Sequence, residues 1–255
     1  MVMTKKYLFN DMIVMLGRSM RHHFRSIDTI ITVTIMPVAL MLLFVYVLGG
    51  AIQTGTDKYV NYLLPGILLI TIANSLGYTS FRIFTDIQRG IFERFHSMPV
   101  SRSAALWGHV ITSLVSNAIS LIVVILVALI IGFRSPAGIL PWVEVAFILG
   151  LFTLALTWIA VIPGLSAKTQ DGAIVIAYPI HLLPLISSAF VPTNSMPSVI
   201  RSFAENQPVT PIVETIRALL ANRPAGNEIW TALIWCVGIM LMAYMFSLRV
   251  YKRRV

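Results

Sequence analysis

Charge is scarce in this sequence. Only 11% of its 255 residues are Asp, Glu, Lys or Arg and 57% are hydrophobic, whereas an ordinary soluble domain carries about 25% charged residues. So little polar material cannot clothe a water-facing surface around a chain of this size. With a mean hydropathy of +0.84, lipid must be the solvent for much of that surface. Acid is rarer than base: Asp and Glu number 10 against 19 Lys and Arg, a net charge of +9. In a soluble protein that balance would suggest nucleic acid. In a membrane chain Lys and Arg gather on the cytoplasmic side whatever the function, so nucleic acid is not implied. The one cysteine, Cys236, lies in an apolar run. That excludes an intrachain disulfide framework and a cysteine-clustered metal site, and Cys236 reads as a small apolar filler.

Chemical motifs are missing as well. There is no HExxH, no GxSxG and no Gly-x-x-x-x-Gly-Lys-[Ser/Thr]. The nearest approach to the last, GLSAKTQ from Gly164, lacks the second glycine and a preceding strand. The expectation is a chain that does no bond chemistry and binds no cofactor or metal. Paired ionisable residues at membrane depth, which an intramembrane enzyme needs, are almost wanting. A cleaved signal peptide is not expected, because the short apolar stretch after Lys5 and Lys6 is interrupted by Asp11 and closed by no small-residue cleavage site. No repeat appears at 20–50 residues. A stand-alone channel or secondary transporter, the alternative reading, would be supported by inverted repeats, and residues 1–130 do not resemble 131–255.

Long apolar runs are what the chain does have. A spanning helix needs about 20 mostly apolar residues, and six candidates occur, near 29–49, 59–81, 104–133, 142–165, 172–191 and 229–248. The fifth contains Pro179, His181 and Pro184, which predict a kink or break. Lys and Arg concentrate before the first run (Lys5, Lys6, Arg18, Arg21, Arg25), after the second (Arg82, Arg89, Arg94, Arg102) and in the tail (Arg249, Lys252, Arg253, Arg254). The loops between carry few. This bias puts both termini in the cytoplasm of a multi-pass protein of the cell membrane, in agreement with an even number of spans. The expected fold is an all-α integral membrane protein forming a single domain over 1–255. Its additions are an N-terminal amphipathic interfacial helix within 1–28, a cytoplasmic helix within 86–100 and an external segment at 192–227 holding a short helix around PIVETIRALL.

Two polar stripes mark the spans. Thr71, Asn74, Ser75, Tyr78 and Arg82 recur at helical spacing in the second, and Ser113, Ser116, Asn117 and Ser120 in the third. The plainer reading is helix–helix contact through small polar side chains. The sharper one is a substrate path through Thr71, Asn74, Ser75, Tyr78, Ser113 and Asn117. The stripes carry no acid, which argues against a proton or cation relay and suits an amphiphilic or lipid-like cargo. His109 and His181 fall inside spans, where interhelical hydrogen bonding is favoured over a pathway role. His22 and His23 face different sides of a helix and make a poor metal site.

Between the second and third spans stands DIQRGIFERFHSMPVSR. As a helix, 86–98 gathers Ile87, Ile91, Phe92, Phe95 and Met98 on one face and Asp86, Gln88, Arg89, Glu93, Arg94 and Ser97 on the others, and Pro99 stops it. Periodicity leaves two readings open, an interfacial anchor against headgroups or a helix that docks in a groove on a cytoplasmic partner.

The stretch RGIFERFHSMPVSRSAALWGHV resembles the cytoplasmic-loop signature of type-2 ABC exporter (ABC-2 type) permeases. There a Gly-x-x-Glu-Arg segment runs into a Met-Pro or Leu-Pro pair and then Ser-Arg. SSAFVPTNSMPSVIRSFAENQPVTPIVETIRALL, residues 187–220, is similar to the external Phe-x-Pro … Asn-Pro-x-Thr-Pro region of the DrrB-like drug-exporting branch. The two motifs come in the expected order, and the likeness covers nearly the whole chain. It implies six helices forming half a permease, a homodimer of this chain in a 2+2 complex, and a cytoplasmic ABC ATPase that binds ATP and Mg in place of this subunit. It also implies that the N-terminal helix is the family's connecting helix, and that Arg89, Gly90, Phe92, Glu93, Arg94 and Phe95 belong to the coupling helix seated on the ATPase. Membrane lipid and a bacterial cell membrane complete the expectation.

Overall fold

A computed structural model describes residues 27–50, 58–90, 104–175 and 177–254. Among these residues the secondary structure is entirely helical. Helix α1 (Ile27–Leu43) continues into a π-helical turn, Phe44–Leu48. It is followed by α2 (Tyr59–Gln88), α3 (Ala104–Ile131), α4 (Ile139–Ser166), α5 (Gln170–Ile174) and α6 (Ala177–Leu185). A 3₁₀ turn (Thr193–Ser195) then leads to α7 (Ser198–Asn206), α8 (Val209–Leu220) and α9 (Glu228–Arg254). Among the described residues, four helical stretches are long and apolar enough to cross a membrane: Tyr59–Gln88, Leu106–Ile131, Ile139–Ser166 and Glu228–Tyr251. The N-terminal helix expected within 1–28 falls almost wholly outside the described residues, and so do residues 91–103.

Helix α2 is the axis of the bundle, and α1, α3, α4, α5, α6 and α8 all pack on it. Its sequence explains that position. Leu63, Leu64, Ile67, Leu68, Leu69, Ile72 and Leu76 are apolar on every side of the helix and all buried, the pattern of a helix enclosed by protein. The peripheral helices keep an oily outer face instead, with Ile122, Leu126 and Ile130 exposed on α3 and Trp230, Ile234, Leu241 and Met245 on α9. In water such faces would drive aggregation, and in hydrocarbon they cost nothing.

The expected fifth span is broken, as its prolines predict, but the break precedes them. It falls between Ile174 and Ala177, and Pro179 sits in the first turn of α6, where a missing N–H breaks no helical bond. Despite the break, 173–190 runs antiparallel along α2. Ser80 Oγ donates to the Ala173 carbonyl (2.6 Å) near one end, and Tyr62 and Tyr59 hydroxyls donate to the Ser188 and Phe190 carbonyls (both 2.8 Å) near the other. The stretch of α2 between Tyr59 and Ser80 measures about 30 Å at helical rise, the thickness of a hydrocarbon core. Small residues permit this approach. A Cβ on Gly66 would lie 2.5 Å from that of Ala189, and one on Gly77 would lie 3.3 Å from that of Ala177. On the opposite flank a Cβ on Gly164 of α4 would come within 2.9 Å of the Ser80 carbonyl oxygen.

Helix α2 also runs past the end expected from its apolar residues. Asp86, Ile87 and Gln88 form its last turn, and Arg89 N–H and Gly90 N–H close on the Thr85 and Ile87 carbonyls. Gly90 adopts φ +65°, the left-handed conformation that ends helices and suits glycine. A separate cytoplasmic helix therefore cannot begin at residue 86, and that boundary is corrected. The remainder of the expected helix, from residue 91 onward, lies outside the described residues.

Candidate functional site

The polar stripes of α2 and α3 meet. Asn117 Nδ2 donates to Ser75 Oγ (2.8 Å) and to the Ser113 carbonyl (2.9 Å), Ser113 Oγ shares a bond with Thr79 Oγ1 (2.9 Å), and Thr34 of α1 donates to Ser120 (3.1 Å). Thr71 turns back onto the Ile67 carbonyl of its own helix. All of these side chains are buried. They form a hydrogen-bonded seam joining α1, α2 and α3, in which each interhelical bond contributes about 0.6 kcal/mol and at most about 2. The residues expected to line a path thus divide. Thr71, Ser75, Ser113 and Asn117 lie inside the protein, while Asn74 and Tyr78 are only partly buried, on another face of α2. Asn74 Oδ1 meets His181 Nε2 of α6, whose Nδ1 lies 2.8 Å from the Ala177 carbonyl. The Asn74 amide nitrogen is buried without a hydrogen-bond partner. His181 thus ties α6 to α2.

At the Gln88 end of α2 the polar groups become ionic. The Arg82 guanidinium lies 5.8 Å from the Tyr78 ring centroid, one turn back. One turn on, Asp86 Oδ2 lies 3.2 Å from Nε2 of His109, which is buried in the second turn of α3. Arg89 and Gly90 come next, at the helix end. Phe92, Glu93, Arg94 and Phe95 lie outside the described residues.

The other end is built differently. The Arg217 side chain of α8 is only 14% exposed. It donates to the Ser188 carbonyl (2.8 Å) and to the Tyr62 carbonyl (3.2 and 3.3 Å), pairs with Glu214 (2.5 Å) and stacks 3.7 Å from the Tyr62 ring centroid. Buried Gln207 donates through Nε2 to the Leu183 (3.0 Å) and Ile186 (2.6 Å) carbonyls at the end of α6. These acceptors would otherwise be orphaned where water is scarce. Phe190 closes the group, its ring 4.7 Å from that of Phe44 in the π-helical turn. Sequence reasoning missed Arg217 and Gln207 because their partners are main-chain oxygens. It missed the Asp86–His109 pair because that pair depends on the relative rotation of two helices. The Tyr59/Tyr62 spacing at the head of α2 was the one available signal.

Among the described residues no cluster of three or more His, Cys, Asp or Glu could hold a metal ion. The long apolar helices, joined by a polar seam, are those of a multi-pass membrane protein. A family model described as ABC-2 type transporter matches residues 10–221. The chain belongs to that family. It is 24% identical over 229 residues to the daunorubicin resistance ABC transporter permease protein DrrB1 of Streptomyces coeruleorubidus, covering 88% of this chain and 80% of that one. It is 25% identical over 222 residues to the doxorubicin resistance ABC transporter permease protein DrrB of Mycobacterium tuberculosis strain H37Rv, covering 81% and 74%. It is therefore a DrrB-like permease of the cell membrane, a transport component rather than an enzyme.

Proposed function

We propose that this chain is the membrane-spanning subunit of an ATP-driven exporter that moves hydrophobic or amphiphilic drug-like compounds out of the cell. The observation that carries the reading is the family match over 10–221, together with the two drug-resistance permeases to which the chain is similar across most of its length. We read six spans, counting α1 with its π-helical turn as the first and the broken segment along α2 as the fifth. Both termini are cytoplasmic by the distribution of Lys and Arg. The chain carries no phosphate-cradling loop, so a separate ABC ATPase subunit supplies ATP and Mg, and two copies of this chain pair in a 2+2 complex. The segment around Phe92, Glu93, Arg94 and Phe95, continuing from Arg89 and Gly90, seats on that ATPase.

The chain's own part is mechanical. Closure of the ATPase pushes the segment after Gly90, and the seam of Ser75, Thr79, Ser113 and Asn117 carries α2 and α3 along together. Cargo passes over the partly buried face of α2 bearing Asn74 and Tyr78, beside α6, where His181 meets Asn74. A mostly apolar face with one amide and one phenol suits an amphiphile. The test is purification from membranes of a cell that expresses the chain with its native neighbours. An ABC ATPase should co-purify, and Glu93→Ala or Arg94→Glu should lower doxorubicin efflux at unchanged membrane level. Efflux at the wild-type rate in both variants contradicts the docking role.

A further inference from the structure

We infer that Asp86 and His109 form a positioning pair, a strut across the base of the cytoplasmic loop that makes α2 and α3 respond to a push as one body. The inference rests on the proposed function, since it assumes that force enters between Gly90 and α3. The loop leaves α2 at Gly90 and re-enters the bundle at Ala104. Asp86 stands one turn before the exit and His109 in the second turn after the return. Their side chains meet at 3.2 Å, the histidine 6% exposed and the acid 30%. The pair therefore bridges the two roots of the loop.

Three features separate this contact from ordinary helix packing. The first is that it joins a carboxylate to an imidazole, whereas the seam from Thr79 to Ser120 joins α2, α3 and α1 through hydroxyls and an amide. The second is position: Asp86 is the last acidic residue of α2, and α2 stops four residues later in a left-handed glycine. Load from the loop reaches this contact before it reaches the seam. The third is support. Asp86 comes one turn after Arg82, and Arg82 one turn after Tyr78 with its guanidinium over that ring. Tyr78, Arg82 and Asp86 thus share one face of α2, and His109 joins it at the cytoplasmic end. Around them Ile83, Leu106, Val110 and Trp158 form a buried apolar cluster that holds both helices in register. A pair so placed sets the separation of the two roots, and cargo contact lies higher on α2.

The test uses the assembled transporter with its co-purifying ATPase, doxorubicin as cargo, and efflux per ATP hydrolysed as the readout. Asp86→Asn and His109→Gln should each lower that ratio about tenfold while membrane level, co-purified ATPase and basal hydrolysis stay within twofold of the parent. A purely structural role would lower level and hydrolysis together. The exchanged double variant, Asp86→His with His109→Asp, should recover at least a third of the parental ratio. Unchanged coupling in both single variants overturns the inference, and so does an exchanged variant no better than the singles. If single variants fail to accumulate, Asp86→Cys with His109→Cys in a Cys236→Ser background decides. Bridging the two thiols with a short bifunctional reagent should leave efflux at or above its unbridged rate, and a bridge that stops efflux shows that the pair must part. Failure of any ATPase to co-purify with the parent protein would be a different result, striking at the proposed function itself.

Discussion

The two ends of α2 are held by different chemistry. At the Tyr59 end the ties between elements run from polar side chains to main-chain carbonyls: Phe190 for Tyr59, Ser188 for Tyr62 and Arg217, and Leu183 and Ile186 for Gln207. At the Gln88 end the tie between helices is a side-chain pair, Asp86 with His109. A carbonyl is fixed by the backbone that carries it, so the first set of bonds braces a broken segment that has few helical bonds of its own. A side-chain pair leaves both backbones free to tilt while keeping them together. Under the proposed function, the difference suits a Tyr59 end that holds still and a Gln88 end that moves as a unit.

Removing the brace should have the largest effect. Arg217→Ala deletes three donated bonds and leaves Glu214 without its partner, a loss of about 3 kcal/mol. Thermal denaturation in detergent should shift down by several degrees, and Arg217→Lys should recover only part of it, because an ammonium cannot fork between two carbonyls while stacking on Tyr62. Next comes Gly66→Ala, whose new methyl meets the Ala189 methyl and main chain with no flexible atom to give way. A cost of about 1–3 kcal/mol is expected, with faster proteolysis of the 187–206 region as the measurement. Asn117→Ala opens the middle of the seam and should cost about 1 kcal/mol, read by the same melting assay. Smallest is Tyr59→Phe, which removes one hydroxyl bond to Phe190 and should cost about 0.5–1.5 kcal/mol. If Asp86→Asn lowered the melting temperature as much as Arg217→Ala, the distinction between a braced end and a moving end would not stand.

Much of this architecture was legible in the sequence, and the limits have physical reasons. Apolar runs located α2, α3, α4 and α9, because a helix that must sit in hydrocarbon leaves a length and hydropathy signature that side-chain detail does not blur. Proline marked the weak fifth segment, although the break falls before Pro179, since a proline can start a helix as well as stop one. The boundary at residue 86 was misplaced because charged Asp86 was read as the start of a separate amphipathic helix, yet a helix leaving a membrane keeps turning until its backbone is told to stop. Gly90 gives that instruction through a positive φ. The stripe of Thr71, Asn74, Ser75 and Tyr78 was visible as a pattern, but its split into a buried seam and a partly buried face depends on which neighbours arrive. Helix α7 was not singled out: Val199, Ile200 and Phe203 share an exposed face, yet nine residues amid prolines and serines give too short a period to recognise.

The central claim is that the segment after Gly90 is gripped by an ATP-hydrolysing partner. A photoactivatable amino acid placed at position 93 in the full chain, irradiated in native membranes, tests it most directly. The account predicts a crosslink to a co-expressed ABC ATPase, formed whether or not Asp86 and His109 are substituted. A transporter that purifies with its ATPase intact while position 93 is labelled only from the outer face, or crosslinks to nothing but lipid, would contradict it.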